Sequence, residues 1–112
     1  MEFRPITDDY AVSGQITPED VAAIRDAGFR SIVCHRPDNE QPGQPSAQNV
    51  EDAAQAAGLG FRHIPVSGSG MTPDNVAAMR EALDALEGPV FAYCRSGARS
   101  TNIFAAAQAG RA

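Results

Sequence analysis

Short strand-like runs alternate with helical runs four times along the chain, and capping residues mark most of the boundaries. Thr17 and Thr72 are each followed by a proline, a pattern typical of a helix N-cap and the first helical position. Gly28 and Gly58 follow two of the helical runs, where C-caps are expected. Strands separated by helices usually pair in parallel with right-handed crossovers, so this order predicts an α/β fold.

The predicted fold is a compact parallel sheet of four strands, or slightly more, flanked by helices. The predicted strands are 10–13, 29–34, 61–66 and 90–93, and the predicted helices are 18–27, 47–57, 73–86 and 101–109. Ser46 is the expected N-cap of the second helix, and Ser100 is expected to open the last. The chain contains no repeat, low-complexity tract or linker, so we expect residues 1–112 to form a single domain.

Charge and composition exclude several classes of function. The formal net charge is −5 and the nine basic residues, all arginine, are scattered, which argues against a nucleic-acid partner. No apolar window approaches the roughly 18 residues of a membrane span, so we expect no membrane partner. The first residues lack the pattern of a signal peptide, which predicts a cytoplasmic location. The two cysteines and two histidines show no metal-ligand spacing, so we expect neither metal nor cofactor.

Cys94 directly follows the apolar strand 90–93, and a short turn containing Gly97 leads from it into the last helix. Ligands of open α/β sheets bind beyond the carboxyl ends of the strands, where the first amides of a following helix lack internal partners. Those amides and the helix dipole favour an anion. We therefore predict that Cys94 lies at the mouth of the helix, open to water, with a thiol pKa well below its ordinary value.

Residues around Cys94 complete the predicted site. Arg99, at the loop exit, is placed to hold an oxyanion by two parallel hydrogen bonds. Ser100 could donate a hydrogen bond to the sulfur or merely cap the helix. We predict Cys94 and Arg99 as the catalytic residues, and the predicted substrate-binding residues are Arg95, Ser96, Gly97, Ala98 and Ser100.

A second group of candidate residues follows the second predicted strand, at the sheet edge where Cys94 should emerge. Cys34 could resolve a persulfide or sulfenic acid on Cys94 by forming a disulfide, or it could be a buried strand residue. Arg36 could add positive potential to the pocket. Asp38 could serve as a general acid or order its loop. His35 could border the pocket, but a loop histidine with no partner motif is more often solvated, and it is interpreted so here.

Several separated motifs resemble one family. They are 12–16 (VSGQI), 27–30 (AGFR), 36–38 (RPD), 41–43 (QPG), 63–66 (HIPV) and 94–100 (CRSGARS). In this order they resemble the beta-lactamase-hydrolase-like phosphatase domains, which are also described as a sulfur transferase family. The resemblance implies a compact relative of the tyrosine and dual-specificity phosphatase fold. The active loop is also similar to that of rhodanese sulfurtransferases.

The sequence departs from the phosphatase pattern at three points. Phosphatases of this kind place five residues between the catalytic Cys and Arg, whereas four separate Cys94 from Arg99, which suits a sulfane sulfur better than a phosphoryl group. Their general acid is normally an Asp after the third strand, but residues 65–71 contain no acid. Asp74 is interpreted as part of the first turn of a helix. Tyr93 stands where phosphatases carry a His.

These departures predict a rhodanese-type sulfurtransferase. Cys94 would take sulfur from a small anionic donor, thiosulfate or a persulfide, and pass it to a thiol acceptor. A persulfide-oxidising enzyme could act as its partner. One alternative is a phosphatase that forms a phosphocysteine on Cys94 from a phosphate ester, with Asp38 or water supplying the proton. Another is a non-catalytic module that senses anions or redox state.

Overall fold

A computed structural model describes residues 2–109 of the chain. Its strands are β1 (Arg4–Thr7), β2 (Tyr10–Ser13), β3 (Ser31–Cys34), β4 (Gly60–His63) and β5 (Val90–Tyr93). They form one five-stranded sheet in the order β1-β2-β5-β3-β4. β2, β5, β3 and β4 run parallel, and β1 pairs with β2 in the antiparallel sense. The predicted α/β class is confirmed, with an added antiparallel strand at one edge.

The helices are α1 (Val21–Asp26), α2 (Ala47–Ala56), α3 (Pro73–Ala85) and α4 (Ala98–Gln108). Side chains cap two of them as the sequence predicts: the Ser46 hydroxyl accepts the Asn49 N–H, and the Thr72 hydroxyl accepts the Asn75 N–H, both at 3.1 Å. The predicted first helix is split, because Pro18–Asp20 forms a 3-10 turn before α1. No helix within residues 2–109 is long and apolar enough to cross a membrane.

The sheet carries a hydrophobic core on each face. Along β5, Phe91 and Tyr93 point to one face and Val90 and Ala92 to the other, as the alternation of a strand requires. The first face packs against side chains of α1 and α2, including Ile24, Val50 and Ala54. The second packs against side chains of α3 and α4, including Met79, Ala82, Ile103 and Phe104. The nearly continuous apolar run of β5 therefore reflects burial on both sides.

One strand was not predicted, and one predicted boundary that matters for the site is wrong. β1 was not predicted, because its four residues are all exposed and show no apolar alternation. The last helix begins at Ala98, with Gly97 as its N-cap, and not at Ser100. Ser100 therefore lies inside the first turn of α4 and does not cap it.

The register of the central strands brings three strand ends to one line. Tyr93 at the end of β5 pairs with Ser13 of β2 on one side and Cys34 of β3 on the other. Cys94, the next residue, therefore emerges at the middle of the carboxyl edge of the sheet. This is the edge at which open α/β sheets bind their ligands.

Candidate active site

The loop between β5 and α4 folds around the sulfur of Cys94. The Gly97 N–H donates to Sγ at 3.0 Å, and the amides of Ser96 and Ser100 also donate to it. The Cys94 N–H is itself fixed by the carbonyl of Ser13 at the end of β2, at 3.3 Å. The predicted ring of main-chain N–H groups at the mouth of a helix is therefore present in the structure. One expectation is wrong: Cys94 is fully buried and not open to water.

Gly97 allows the loop to make this turn. Its φ of 94° lies in the left-handed region, which side chains strongly disfavour. A Cβ at this position would also lie 3.5 Å from the main chain of Ser13. Glycine is therefore favoured by the turn, since a Cβ there would make only an ordinary van der Waals contact with β2. The result is an N–H aimed at Sγ immediately before the first residue of α4.

Opposing influences act on the Cys94 thiol. Burial raises its pKa, whereas hydrogen bonds from the amides of Ser100, Ser96 and Gly97 and from the Ser100 hydroxyl lower it. The hydrogen bonds prevail, so the pKa of Cys94 lies below its ordinary value. The direction agrees with the one expected from the sequence. A sulfur held in this way favours the thiolate, the nucleophilic form.

Arg99 lies beside this sulfur in the first turns of α4. Its Nη1 and Nη2 donate to the two carboxylate oxygens of Glu40, at 2.7 and 2.8 Å. A further Nη1 bond of 2.7 Å goes to the carbonyl of Val66, and the guanidinium also hydrogen-bonds to Cys94. The hydrogen bond to Glu40 is the main cause of a raised pKa for Arg99. Arg99 is therefore held as a cation against the sulfur.

Glu40 was not among the residues predicted for the site. It accepts hydrogen bonds from Arg99 and, at 2.9 Å, from Nε of Arg36. The bond to Arg99 lowers the pKa of Glu40 to about 2, against a smaller desolvation penalty, and Arg36 adds to the effect. The sequence offers only a carboxylate in a proline-rich loop as a signal. Its partner Arg99 is 59 residues away, so no local pattern connects the two.

The predicted accessory residues hold the loop that follows β3. Arg36 is buried and donates to side-chain oxygens of Glu40, Gln15 and Gln41, at 2.9, 3.0 and 3.1 Å. Asp38 accepts the Ala47 N–H at 2.9 Å, at the start of α2. The contacts of Arg36 therefore hold the loop together. The contact of Asp38 fits the second of its two predicted roles, which is to order this loop. Asp74 lies in the first turn of α3, as predicted.

Cys34 has surroundings that differ from those of Cys94. Its Sγ donates to the carbonyl of Arg36 at 3.4 Å and lies beside the hydroxyl of Tyr93. Burial is the main cause of a raised pKa for Cys34, and burial likewise raises the pKa of Tyr93. These contacts fit the buried strand cysteine named as the alternative to a resolving thiol.

The structure contradicts the interpretation of His35 as a solvated residue, because its side chain has no exposed surface. Nδ1 lies 2.7 Å from the hydroxyl oxygen of Ser100, and Nε2 lies 3.3 Å from Sδ of Met79. Burial is the main cause that lowers the pKa of His35 to about 3. The sequence places His35 directly after a strand but offers no sign that α4 will cover it.

The remaining predicted binding residues line the loop in different ways. Arg95, Ser96 and Ala98 are exposed, whereas Gly97 and Ser100 are buried. The hydroxyl of Ser96 accepts the Ala98 N–H at 3.3 Å, which closes the turn. Within residues 2–109, no three His, Cys, Asp or Glu side chains come together in a way that could hold a metal ion.

Comparison with known proteins bears on this geometry. The family model described as beta-lactamase hydrolase-like protein, phosphatase-like domain, matches residues 2–111. The chain belongs to this family. A beta-lactamase hydrolase-like protein of Agrobacterium fabrum is 36% identical over 109 residues, which cover 97% of the chain. The chain spans only about a quarter of that relative's length, 25%.

Solved structures similar to this family member have phosphatase names. A candidate phosphatase from Neisseria meningitidis shares 31% identity at a TM-score of 0.83, covering 93% of this chain and 74% of its own. P. aeruginosa TpbA, crystallised in complex with pTyr, matches at a TM-score of 0.65 with 18% identity over 93% of this chain and 59% of its own. The second likeness concerns the fold alone. The predicted relation to the tyrosine and dual-specificity phosphatase fold is confirmed.

These matches bear on the two reactions predicted for the beta-lactamase hydrolase-like domain, phosphate ester hydrolysis and sulfur transfer. Together they support a phosphatase-like fold built around a cysteine nucleophile. They favour the phosphatase alternative over the sulfurtransferase that the loop length and the absence of an acid in residues 65–71 predicted. The expectations of a sulfur donor and of a persulfide-oxidising partner gain no support from them.

Proposed function

We propose that this domain is a cysteine-dependent phosphatase that hydrolyses phosphate monoesters through a phosphocysteine on Cys94. The observation that carries the proposal is the 3.0 Å hydrogen bond from the Gly97 N–H to Sγ, at the N-terminus of α4 and beside Arg99. The amides that stabilise a thiolate there are also suited to the oxygens of a bound phosphoryl group. TpbA, which binds pTyr, shares the fold and makes phosphate esters the substrate class of first choice.

In the first step the Cys94 thiolate attacks phosphorus. The S–P bond forms as the ester P–O bond breaks, and the departing oxygen keeps the electron pair. In the second step water attacks the phosphocysteine, the S–P bond breaks, and the sulfur leaves as the thiolate with release of inorganic phosphate and a proton. The low pKa of Cys94 serves both steps, because the thiolate is nucleophile in one and leaving group in the other.

Glu40 orients Arg99 and leaves some of its N–H donors available for a substrate. A guanidinium has five N–H donors, and three of them serve Glu40 and Val66. The Nε–H and the second Nη2–H lie on the other edge and are left for Cys94, and this edge is a fork suited to two oxygens of one phosphoryl group bound over the sulfur. Because Cys94 is fully buried, substrate reaches Sγ only after side chains at the loop mouth move.

The substrate class follows from the protonation of the leaving group. Asp38 is tied to the Ala47 N–H, and Asp74 lies in the first turn of α3. With neither carboxylate placed on the leaving oxygen, esters whose leaving groups are stable anions should react fastest. We expect aryl phosphates to react much faster than alkyl phosphates in the first step, so a plot of log kcat/KM against leaving-group pKa should be steep.

Sulfur transfer is the second candidate, on the observation that the Cys94–Arg99 loop has four intervening residues. The Cys94 thiolate would attack the outer sulfur of thiosulfate, the S–S bond would break, and sulfite would leave with the electron pair. A thiol acceptor would then remove the sulfur from the persulfide. This route needs no general acid.

Acid-quenched mass spectrometry separates the two reactions. The protein is incubated with an aryl phosphate or with thiosulfate, and the Cys94 peptide is weighed. The proposal expects an added phosphoryl group with the first substrate and turnover to inorganic phosphate, both lost in Cys94→Ser and retained in the matched variant Cys34→Ser. An added sulfur atom with thiosulfate, without phosphate turnover, would establish sulfur transfer instead. Absence of both adducts and of turnover would reject an enzymatic role.

A further inference from the structure

The buried ring of His35 lies between two groups, one at each ring nitrogen, and either of them can accept its single N–H. Nδ1 is 2.7 Å from the Ser100 hydroxyl oxygen, and Nε2 is 3.3 Å from Sδ of Met79. Burial, together with the charges of His63 and Arg99, lowers the pKa of His35 to about 3, so the ring is neutral and carries a single N–H. Either nitrogen can carry that hydrogen.

The Ser100 hydroxyl joins this ring to the nucleophile. It lies within hydrogen-bonding reach of Nδ1 of His35 and also of Sγ of Cys94. A hydroxyl has one hydrogen to donate, so it can serve only one of the two at a time. The tautomer of His35 therefore decides where the hydroxyl hydrogen of Ser100 points.

Two arrangements satisfy these contacts. In the first, the ring hydrogen is on Nε2 and points to Met79, while Nδ1 accepts the hydroxyl hydrogen of Ser100. In the second, the ring hydrogen is on Nδ1 and points to the Ser100 oxygen, so the hydroxyl donates to Cys94.

The charge on Cys94 determines which arrangement is more stable. A neutral thiol is a weak acceptor, so the first arrangement, with a strong O–H···N bond, prevails. A thiolate accepts a charge-assisted bond from the Ser100 hydroxyl, roughly twice as strong as a neutral one. The bond given up in exchange, from Nε2 to the thioether of Met79, is weak. The second arrangement therefore prevails once the sulfur is ionised.

We propose that His35 is a positioning residue that changes tautomer with the ionisation of Cys94 and thereby turns the Ser100 hydroxyl onto the thiolate. The balance is simple: the thiol proton is released to solvent, and the ring hydrogen is relocated from Nε2 to Nδ1. The inference deepens the proposed function and depends on it only for its use, because the stabilised thiolate is both nucleophile and leaving group.

Other titratable groups near the relay are few within residues 2–109. Arg99 and His63 act on His35, and Tyr10, Cys34 and Arg99 act on Cys94. Burial raises the pKa of Tyr10 and of Cys34, and Arg99 remains a cation, so these do not change charge as Cys94 ionises. His63 serves as an internal reference, because its Nε2 lies 2.9 Å from the Arg36 carbonyl and must carry a hydrogen to bond there.

The test needs no substrate. Nitrogen-15 NMR of histidine-labelled protein identifies which ring nitrogen carries the hydrogen, and ultraviolet absorbance of the thiolate follows Cys94 in a Cys34→Ala background. We expect the two ring signals of His35 to exchange character at the same midpoint pH as the thiolate signal. In Cys94→Ala the hydrogen should stay on Nε2 at every pH at which the ring is neutral. A tautomer of His35 that is unchanged through the Cys94 titration would overturn the proposal, whether or not the phosphatase activity is found.

Two variants test the direction of coupling. Met79→Leu removes the acceptor of Nε2, so it should favour the Nδ1 tautomer and lower the midpoint of Cys94 ionisation. Ser100→Ala removes the connection, so it should raise that midpoint and make it insensitive to Met79→Leu. A Met79→Leu shift of equal size with and without the Ser100 hydroxyl would show that His35 acts only through packing, and would reject the relay.

Discussion

Cys34 and Cys94 occupy nearly equivalent places yet have opposite chemistry. Cys34 is the last residue of β3, Cys94 directly follows the neighbouring strand β5, and each is almost or fully buried at the carboxyl edge of the sheet. The pKa of Cys34 is raised, whereas that of Cys94 is lowered. Burial raises the pKa of both thiols and is the largest single cause at each, so the difference lies in how far hydrogen bonds offset it.

The two sulfurs differ in the hydrogen bonds that the following main chain provides. After β3, the chain turns a carbonyl, that of Arg36, towards Sγ of Cys34. After β5, the left-handed turn at Gly97 and the start of α4 direct N–H groups towards Sγ of Cys94. At Cys34 the contacts that lower the pKa, from the Tyr93 side chain and the Arg36 backbone, do not outweigh burial, whereas at Cys94 the amides of Ser100, Ser96 and Gly97 and the Ser100 hydroxyl do. The local backbone therefore decides which cysteine can be a nucleophile.

The largest expected effect comes from replacing the sulfur of Cys94 by oxygen, with the same replacement at Cys34 as the control. Cys94→Ser should lower kcat for aryl phosphate hydrolysis on the order of a thousandfold or more, because the serine hydroxyl does not ionise at working pH. Cys34→Ser should keep most of the activity. Steady-state kinetics of the two variants make the comparison, and equal losses would contradict the assignment of a single nucleophile.

Arg99→Lys should lower kcat/KM about a hundredfold, because an ammonium group cannot form the two-pronged contact to a phosphoryl group. Glu40→Gln is the matched variant: it removes the charge that orients Arg99 but keeps an acceptor, so a smaller loss is expected. Kinetics with one aryl phosphate are sufficient. If Glu40→Gln costs as much as Arg99→Lys, then Glu40 acts directly in the reaction.

Gly97→Ala tests the turn that aims the amides. Strain at the positive φ of Gly97 should lower the free energy of unfolding by about 1–3 kcal/mol and raise the pKa of Cys94. Gly58→Ala provides the control, since Gly58 has a φ of 80° but open space around its Cβ position. It should destabilise the protein and leave the Cys94 titration unchanged. Denaturant unfolding and thiolate absorbance measure the two effects.

A further expected effect is on the pH dependence of stability. His35 is neutral when folded down to about pH 3, whereas in the unfolded chain it protonates near 6.5. The unfolded state therefore binds more protons between these values, so stability falls as the pH drops from about 6.5 towards 3, by at most about 1.4 kcal/mol per pH unit.

Urea unfolding from pH 7 to 4 measures this slope. His35→Gln should flatten it at the upper end of the window, where Glu40 does not yet contribute. Glu40 adds a loss of the same sign between about 4.5 and about 2, which Glu40→Gln should remove. A slope that is unchanged in His35→Gln would show that the ring is not held neutral by the fold.

The sequence was most informative where the fold is built from consecutive residues. The strand 90–93, Cys94, Gly97 and the following helix are contiguous, so strand burial, turn and helix start could be read together. The helix caps Ser46 and Thr72 are local for the same reason. The edge strand β1 was missed because its residues are exposed. It is held by main-chain pairing with β2, which leaves no apolar pattern in the sequence.

By itself the sequence determined the α/β class, the Cys94 loop and the direction of the thiol pKa, because neighbours along the chain produce all three. Only the tertiary structure decided that Glu40 braces Arg99, 59 residues away, and that His35 lies against Ser100, 65 residues away. It also decided that Cys34 remains a thiol. Such contacts depend on which strand ends meet at one edge of the sheet, and residue patterns within a segment carry no information about that meeting.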